Sequence, residues 1–190
     1  MYRNQAYKLI DANNAIRHKY DRGHLVPAAT LSSTLEGYLS TFTYTNAVPQ
    51  HTSFNTGPWN VFEDKIRKYA SEKCIKSGGT LYLITGTSFT NSLGDNTVVI
   101  ETLLKKGGKS DISIPNSLWT AGCCVLENGY VESFAVIGDN GKDPNMREIK
   151  LPELQKILLA DVTANGRQIG GPEVDLFPGN KICSKVTTSL

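Results

Sequence analysis

The stretch Tyr20-Asp21-Arg22-Gly23-His24-Leu25-Val26-Pro27-Ala28 decides how this chain is read. In a β-strand, side chains two apart point the same way, so Arg22 and His24 share a side. A cation and a titratable base would then face one substrate. Gly23 between them has no side chain, which leaves room for a ligand or a neighbouring backbone to come close. Histidine alone among side chains has an ordinary pKa near neutrality, which suits general-base work. A lone histidine is more often structural, so the tripeptide gains its weight from a second cluster downstream.

That cluster runs Asn46-Ala47-Val48-Pro49-Gln50, then Asn55-Thr56-Gly57-Pro58-Trp59-Asn60-Val61-Phe62-Glu63, then Arg67. Pro58 suits a first helical position. Trp59 to Lys73 has helical periodicity, with Trp59, Phe62, Ile66 and Tyr69 on one apolar stripe. Glu63 and Arg67 stand four apart and share a face. Asn55 lies just ahead of the helix, so its oxygen and the Glu63 carboxylate can converge on one point. A hard cation such as Mg²⁺ takes oxygen ligands and keeps several waters. One side-chain ligand with phosphate and water suffices, and Glu63 can hold a metal-bound water. Each residue also has a plainer role. Asn55 can cap a helix or a turn, and Glu63–Arg67 can be an exposed ion pair worth little. Trp59, Phe62 and Ile66 read as core rather than as a base-stacking platform. The joint order is harder to explain by separate plain roles.

Residues 17–26 read as a strand, and 29–38 as a short helix starting near Thr30 or Ser32. Thr41-Phe42-Thr43-Tyr44-Thr45 alternates and is rich in β-branched and aromatic residues, so it reads as a strand that Val48-Pro49-Gln50 ends. Gly78-Gly79 stops the central helix. Buried strands are expected at Thr80–Gly86, 97–102, 119–126 and 131–137. Pro115 punctuates them, and Asn128-Gly129 is a good hairpin turn. Pro152 opens a helix with Leu154, Ile157 and Leu158 on its apolar side. The chain after residue 165 is rich in Gly and Pro and reads as irregular. Antiparallel strands with a few inserted helices make an α+β fold, expected as one domain over residues 1–190.

Bulk properties set bounds rather than a function. The chain has 190 residues, 39% hydrophobic and 20% charged, enough for one sizeable core. A net charge of +2 does not announce a nucleic-acid binder. Basic residues recur at Arg17, Lys19 and Arg22, at Lys65, Arg67 and Lys68, and at Lys105, Lys106 and Lys109. The first two runs flank the motifs and are the better candidates for phosphate contact. No apolar run approaches a membrane span. Met1–Ala6 is polar and lacks the apolar core of a signal peptide, so a secreted form would need a leader before this numbering. Cys74, Cys123, Cys124 and Cys183 allow three pairings. Joining Cys123 to Cys124 needs a strained vicinal bond, and the other two pairings each tie Cys183 back to the body. Their spacing does not suit zinc. Structural disulfides are the expectation, and with them an oxidising compartment. There is no N-glycosylation sequon.

Asp-Arg-Gly-His, Asn-x-x-Pro-Gln and Asn-x-Gly-x-Trp-x-x-x-Glu-x-x-x-Arg, read here at Asp21–His24, Asn46–Gln50 and Asn55–Arg67, resemble the pattern of the DNA/RNA non-specific endonucleases. These are ββα-metal (His-Me finger) enzymes, Serratia nuclease and endonuclease G among them. The stretches Gly79–Thr87 and Ile114–Cys124 look like the animal endonuclease domain-containing 1 subgroup. The resemblance spans residues 17–137. It implies a ββα-metal finger on a central, mostly antiparallel sheet flanked by helices. By the same resemblance His24 is the general base, and Asn55 the single protein ligand of one Mg²⁺, for which Mn²⁺ or another divalent cation can substitute. Glu63 orders the metal's waters, Arg22 and Arg67 bind the phosphate, and Asp21, Asn46 and Gln50 support the site.

The implied activity is sequence-non-specific hydrolysis of DNA and RNA to 5′-phosphate ends, since such a site reads backbone rather than base edges. The family domain usually begins further upstream and carries another basic residue near the phosphate, for which Arg3 and Arg17 are weak candidates here. A binding module that has lost catalysis is the alternative. A hydrolase of another type lacks its motifs, since neither Gly-x-Ser-x-Gly nor His-Glu-x-x-His occurs. Location is expected to be extracellular or in another oxidising compartment, with mitochondria second because endonuclease G-like relatives are mitochondrial.

Overall fold

The computed structural model describes residues 20–95, 102–103, 112–161, 173–180, 182–183 and 190. β1 (Tyr20–His24) pairs antiparallel with β2 (Ala47–His51), placing Asp21 opposite Gln50, Arg22 opposite Pro49 and His24 opposite Ala47. The residues before Tyr20 that were assigned to this strand lie outside the described set.

The sequence reading set the second strand too early. Thr41–Thr45 is loop that enters a 3₁₀ turn at Tyr44–Asn46, and Pro49 lies inside the strand it was expected to end. Local hydrogen bonds explain the loop: Thr41 Oγ1 donates to Tyr38 O at 2.7 Å, and Asn46 Nδ2 donates to Thr41 O at 2.9 Å. Such side-chain bonds offer the backbone an alternative to a ladder. Proline is tolerated at 49 because both strands of a two-stranded ribbon are edges.

The first helix also differs from expectation. Ala28–Leu31 is one 3₁₀ turn, and α1 is Leu35–Ser40. Its cap is Thr34, whose Oγ1 accepts from Gly37 N at 3.0 Å, rather than Thr30 or Ser32. After β2 come the single turn α2 (Thr52–Asn55) and α3 (Pro58–Lys68), with Pro58 in the first turn. α3 runs on as a π-helical segment, Tyr69–Ile75. It stops at Gly78, whose φ of 74° suits a residue without Cβ.

The main sheet contains β3 (Gly79–Ser88), β6 (Ser117–Leu126), β7 (Val131–Asp139) and β8 (Met146–Ile149), in the order β3-β6-β7-β8 and antiparallel throughout. A small ribbon joins β4 (Thr102–Leu103) to β5 (Ile112–Ser113). Of the strand expected at 97–102, only Thr102 falls among the described residues. The hairpin at Asn128-Gly129 is present, with Gly129 at φ 81° and Asn128 Oδ1 accepting from Tyr130 N. β3 was expected to be buried and is not. It forms an edge of this sheet, with Tyr82 55% and Leu83 41% exposed. An apolar run alone does not separate a central strand from an edge.

Alternation along β6 and β7 gives the sheet two cores. Trp119, Ala121, Ala135 and Ile137 face α4 (Leu151–Leu159), where Leu154, Ile157 and Leu158 are buried as its periodicity predicts. Leu118, Phe134 and Val136 face the other way, onto Phe54, Trp59, Ile66 and Tyr69. The stripe expected on α3 therefore does face a core, and the site-bearing helices are fixed by that packing.

Adjacent cysteines extend the same alternation. Cys124 bonds Cys74 on the α3 side, and Cys123 bonds Cys183 on the α4 side, which settles the open pairing. The bridges span 50 and 60 residues. Loops of that length restrict the unfolded chain by about 4 kcal/mol each in the loop-entropy account. Replacing Cys74 and Cys124 together by alanine is expected to lower the unfolding free energy by roughly 2–5 kcal/mol, read from urea denaturation.

Candidate active site

The β1–β2 ribbon and the two helices after it carry seven of the eight residues singled out in the sequence, and Asn46 ends the 3₁₀ turn that enters β2. On β1, the period of two puts Arg22 and His24 on one face and Asp21 and Gly23 on the other. His24 is half-buried, with its ring edge-to-face on Phe42 at 4.9 Å. Burial first, and the Arg22 charge second, hold its pKa below the ordinary 6.5. Both favour the neutral imidazole that a base requires. Among the described residues no carboxylate pairs with Arg22, so its charge is open to an anion.

Asp21 has a definite task. Its Oδ1 accepts from Thr52 Oγ1, and its Oδ2 accepts from Asn55 Nδ2, both at 3.1 Å. A carboxylate only accepts, so the amide must turn its nitrogen toward Asp21. Asn55 Oδ1 is thereby directed away, and nothing among the described residues donates to it. β1 thus carries His24 itself and, three residues earlier, the group that holds Asn55.

Gln50 corrects the reading of Gly23. Gln50 is fully buried, and its Nε2 donates to His24 O at 3.1 Å. A Cβ at position 23 would stand 2.0 Å from the Gln50 side chain. The space at Gly23 is therefore filled by the Gln50 side chain, not by a ligand or a neighbouring backbone. Asn46 works beside it. Its Oδ1 accepts from Val26 N at 2.8 Å and its Nδ2 donates to Val26 O at 2.9 Å, which fixes the chain leaving His24.

Glu63 and Arg67 lie one turn apart on α3, as expected, but the guanidinium forms its ion pair with Asp64. Burial raises the Glu63 pKa to about 7, and Arg67 pulls it back only in part. Glu63 lines a mostly apolar cleft of about 250 Å³ with Leu25, Val26 and Pro27, so α3 meets the segment that follows His24. Lys65, a phosphate candidate in the sequence, instead pairs with Glu148 at 2.9 Å and lies over the Phe62 ring. Arg17, Lys19 and the lysines at 105, 106 and 109 fall outside the described residues. Thr52 and Asp64 were missed by the sequence reading. Thr52 carried no signal, since its bond to Asp21 exists only in the fold, whereas the spacing of Asp64 to Arg67, three apart on one helix, was the signal for that pair.

A cation fits this donor set. Among the described residues no three His, Cys, Asp or Glu side chains cluster to cage a metal. Asn55 Oδ1 is a free hard oxygen donor, and Glu63 is a second oxygen donor on the next helix. So few protein oxygens suit Mg²⁺, which keeps waters and binds phosphate.

The ribbon and the two helices after it thus bring a histidine, an asparagine and a glutamate onto neighbouring elements, in that chain order. The family model of the DNA/RNA non-specific endonucleases matches residues 2–154, and the chain belongs to that family. It is 30% identical over 167 residues to the endonuclease domain-containing 1 protein of Homo sapiens, a match covering 88% of this chain and 30% of that protein. It is 33% identical over 100 residues to a nuclease of Nostoc sp., covering 53% of this chain and again 30% of the relative. The chain thus spans less than a third of either relative's length. The solved structure of the EndoG/EndoGI complex superposes with a TM-score of 0.53 at 21% identity, over 67% of this chain and 50% of that one. That likeness bears out the α+β ββα-metal fold. Among the described residues no helix is long and apolar enough to cross a membrane. The two disulfides are consistent with an oxidising compartment.

Proposed function

We propose that this chain is a divalent-metal-dependent, sequence-non-specific endonuclease that hydrolyses DNA and RNA to 5′-phosphate ends. The observation that carries the reading is the pair of roles on β1: a half-buried, neutral-leaning His24, and Asp21 holding Asn55 so that its amide oxygen is free. Family membership supports nuclease chemistry in general, and the geometry supports the allocation below.

In this reading His24, neutral, takes the proton of the attacking water. Gln50 fixes the histidine backbone through the His24 carbonyl, and Asn46 fixes the exit of the strand. Arg22 meets the phosphate oxygens. Arg67 exchanges Asp64 for the phosphate and meets the charge that builds in the transition state. Asn55 Oδ1 is the protein ligand for Mg²⁺, and Glu63 in its ionised form holds the metal's waters. The metal, when bound, supplies positive charge at the phosphate and the departing 3′-oxygen. Contacts of this kind address backbone alone, which accounts for lack of sequence preference. The paired cysteines support action outside the cell or in another oxidising compartment.

The test is cleavage of supercoiled plasmid and of structured RNA with Mg²⁺ and with EDTA. Cleavage with Mg²⁺ that EDTA abolishes is expected. Salt-sensitive binding without cleavage under any divalent ion would replace the reading with a binding module. A pH series refines it. His24 is a base only when neutral, and burial and Arg22 both lower its pKa. Activity is therefore expected to rise with pH, through His24 in a range below 6.5 and through ionisation of Glu63 around 7, and to level off only above neutrality. A kcat/KM profile flat across that range would remove His24 from the base role.

A further inference from the structure

We propose that Asn140 is a positioning residue for this reaction: its side-chain amide takes the place of a third strand beside β2 and locks the ribbon that carries the site. The proposal rests on the endonuclease reading for its catalytic consequence. Asn140 directly follows β7 at the end of the main sheet, is 9% exposed, and was not singled out in the sequence. Its Oδ1 accepts from His51 N at 2.7 Å, and its Nδ2 donates to Pro49 O at 2.9 Å. The second Nδ2 proton goes to Pro115 O at 2.9 Å, and the backbone Asn140 N donates to Asn116 O at 2.8 Å. Both amide protons are therefore used.

The geometry is that of a strand neighbour. The groups of residues 49 and 51 project from the same edge of β2, the edge turned away from β1. A planar amide bridging Pro49 O and His51 N reproduces the N–H and C=O that one residue of an adjacent parallel strand would offer. It also explains the proline further, because the missing N–H of Pro49 would point to that same outer edge.

From there the hold passes to the site by two routes. Gln50, between the two pinned residues, fills the space at Gly23 and donates to the carbonyl of His24. His51 Nδ1 accepts from Ser53 N at 3.2 Å and so caps α2, which ends at Asn55. One amide from the far end of the sheet thus sets the elements that carry both the base and the metal ligand. No other side chain among those described bonds both Pro49 O and His51 N.

The experiment uses the whole chain with Asn140→Ala and with the isosteric Asn140→Asp, which keeps the acceptor and loses both donors. Hydrogen exchange is measured segment by segment, at a temperature where circular dichroism shows each variant folded. Steady-state kinetics on an oligonucleotide run beside it. Faster exchange is expected at residues 20–24 and 47–51, with protection kept in β6 and β7. In the same variants kcat should fall about 10²-fold, as misplaced groups do, with KM little changed. Because Gln50 lies on one of the two routes, Asn140→Ala combined with Gln50→Ala should lose less than the product of the two single losses. Unchanged ribbon exchange, an intact kcat in folded Asn140→Ala, or protection lost evenly through the sheet overturns the proposal. If the wild-type chain does not cleave at all, the endonuclease reading fails, and the exchange data alone decide whether Asn140 locks the ribbon.

Discussion

Replacing His24 by alanine is expected to slow phosphodiester cleavage about 10²–10⁴-fold, the usual contribution of a positioned base. Substrate binding should change little, because in the proposed reading Arg22 and Arg67 meet the phosphate and the imidazole does not. The fold should survive as well. The ring makes an edge contact with Phe42, and the hydrogen bond that Gln50 Nε2 donates is accepted by the His24 carbonyl, which alanine keeps. Single-turnover rates with saturating Mg²⁺ check the chemistry, and a melting curve checks the fold. A folded variant that cleaves at the wild-type rate would mean that another group takes the proton.

Asn55→Ala is expected to be as damaging, with a different signature. It removes the free Oδ1, so the rate should lose its saturable dependence on Mg²⁺ rather than merely its maximum. Asp21→Ala should be intermediate. The Asn55 oxygen is then present but no longer held, and loss of an orienting partner typically costs about 10–100-fold in metal affinity. A Mg²⁺ titration of the cleavage rate separates the three proteins. If Asp21→Ala leaves the half-saturating Mg²⁺ concentration unchanged, Asp21 serves only to tie β1 to α2.

The legible part of the site was the part written in local elements. Arg22 and His24 are two apart on one strand, and Glu63 and Arg67 are four apart on one helix, so periodicity alone groups each pair. Pro58 and the Trp59–Tyr69 stripe announced that helix because capping and burial follow short-range rules. What stayed hidden depends on chain segments that meet only in the fold. That Gly23 makes room for Gln50 has no trace in spacing, whereas Asp64 stands three before Arg67 on one helix and offers it a local partner besides Glu63. Asn140 is the extreme case, since the bonds that matter reach back about ninety residues. The misread strand at Thr41–Thr45 has a simpler cause. Its composition favours a strand, and local bonds from Thr41 and Asn46 outweigh that preference. The four cysteines left their pairing open because adjacent positions on a strand look equivalent until the two faces of the sheet are known.

Those two faces have a consequence for a chain exposed to proteases. The loop closed by Cys74–Cys124 and the loop closed by Cys123–Cys183 overlap by the single peptide bond between residues 123 and 124. Every peptide bond from residue 74 to residue 183 therefore lies inside one loop or the other. A single cut anywhere along that length yields two fragments that remain one covalent molecule, including cuts within the exposed loops. On a gel such a nick is visible only after reduction. The helix bearing Glu63 and Arg67 stays tethered to the sheet after proteolysis that would release it from a thiol-free relative.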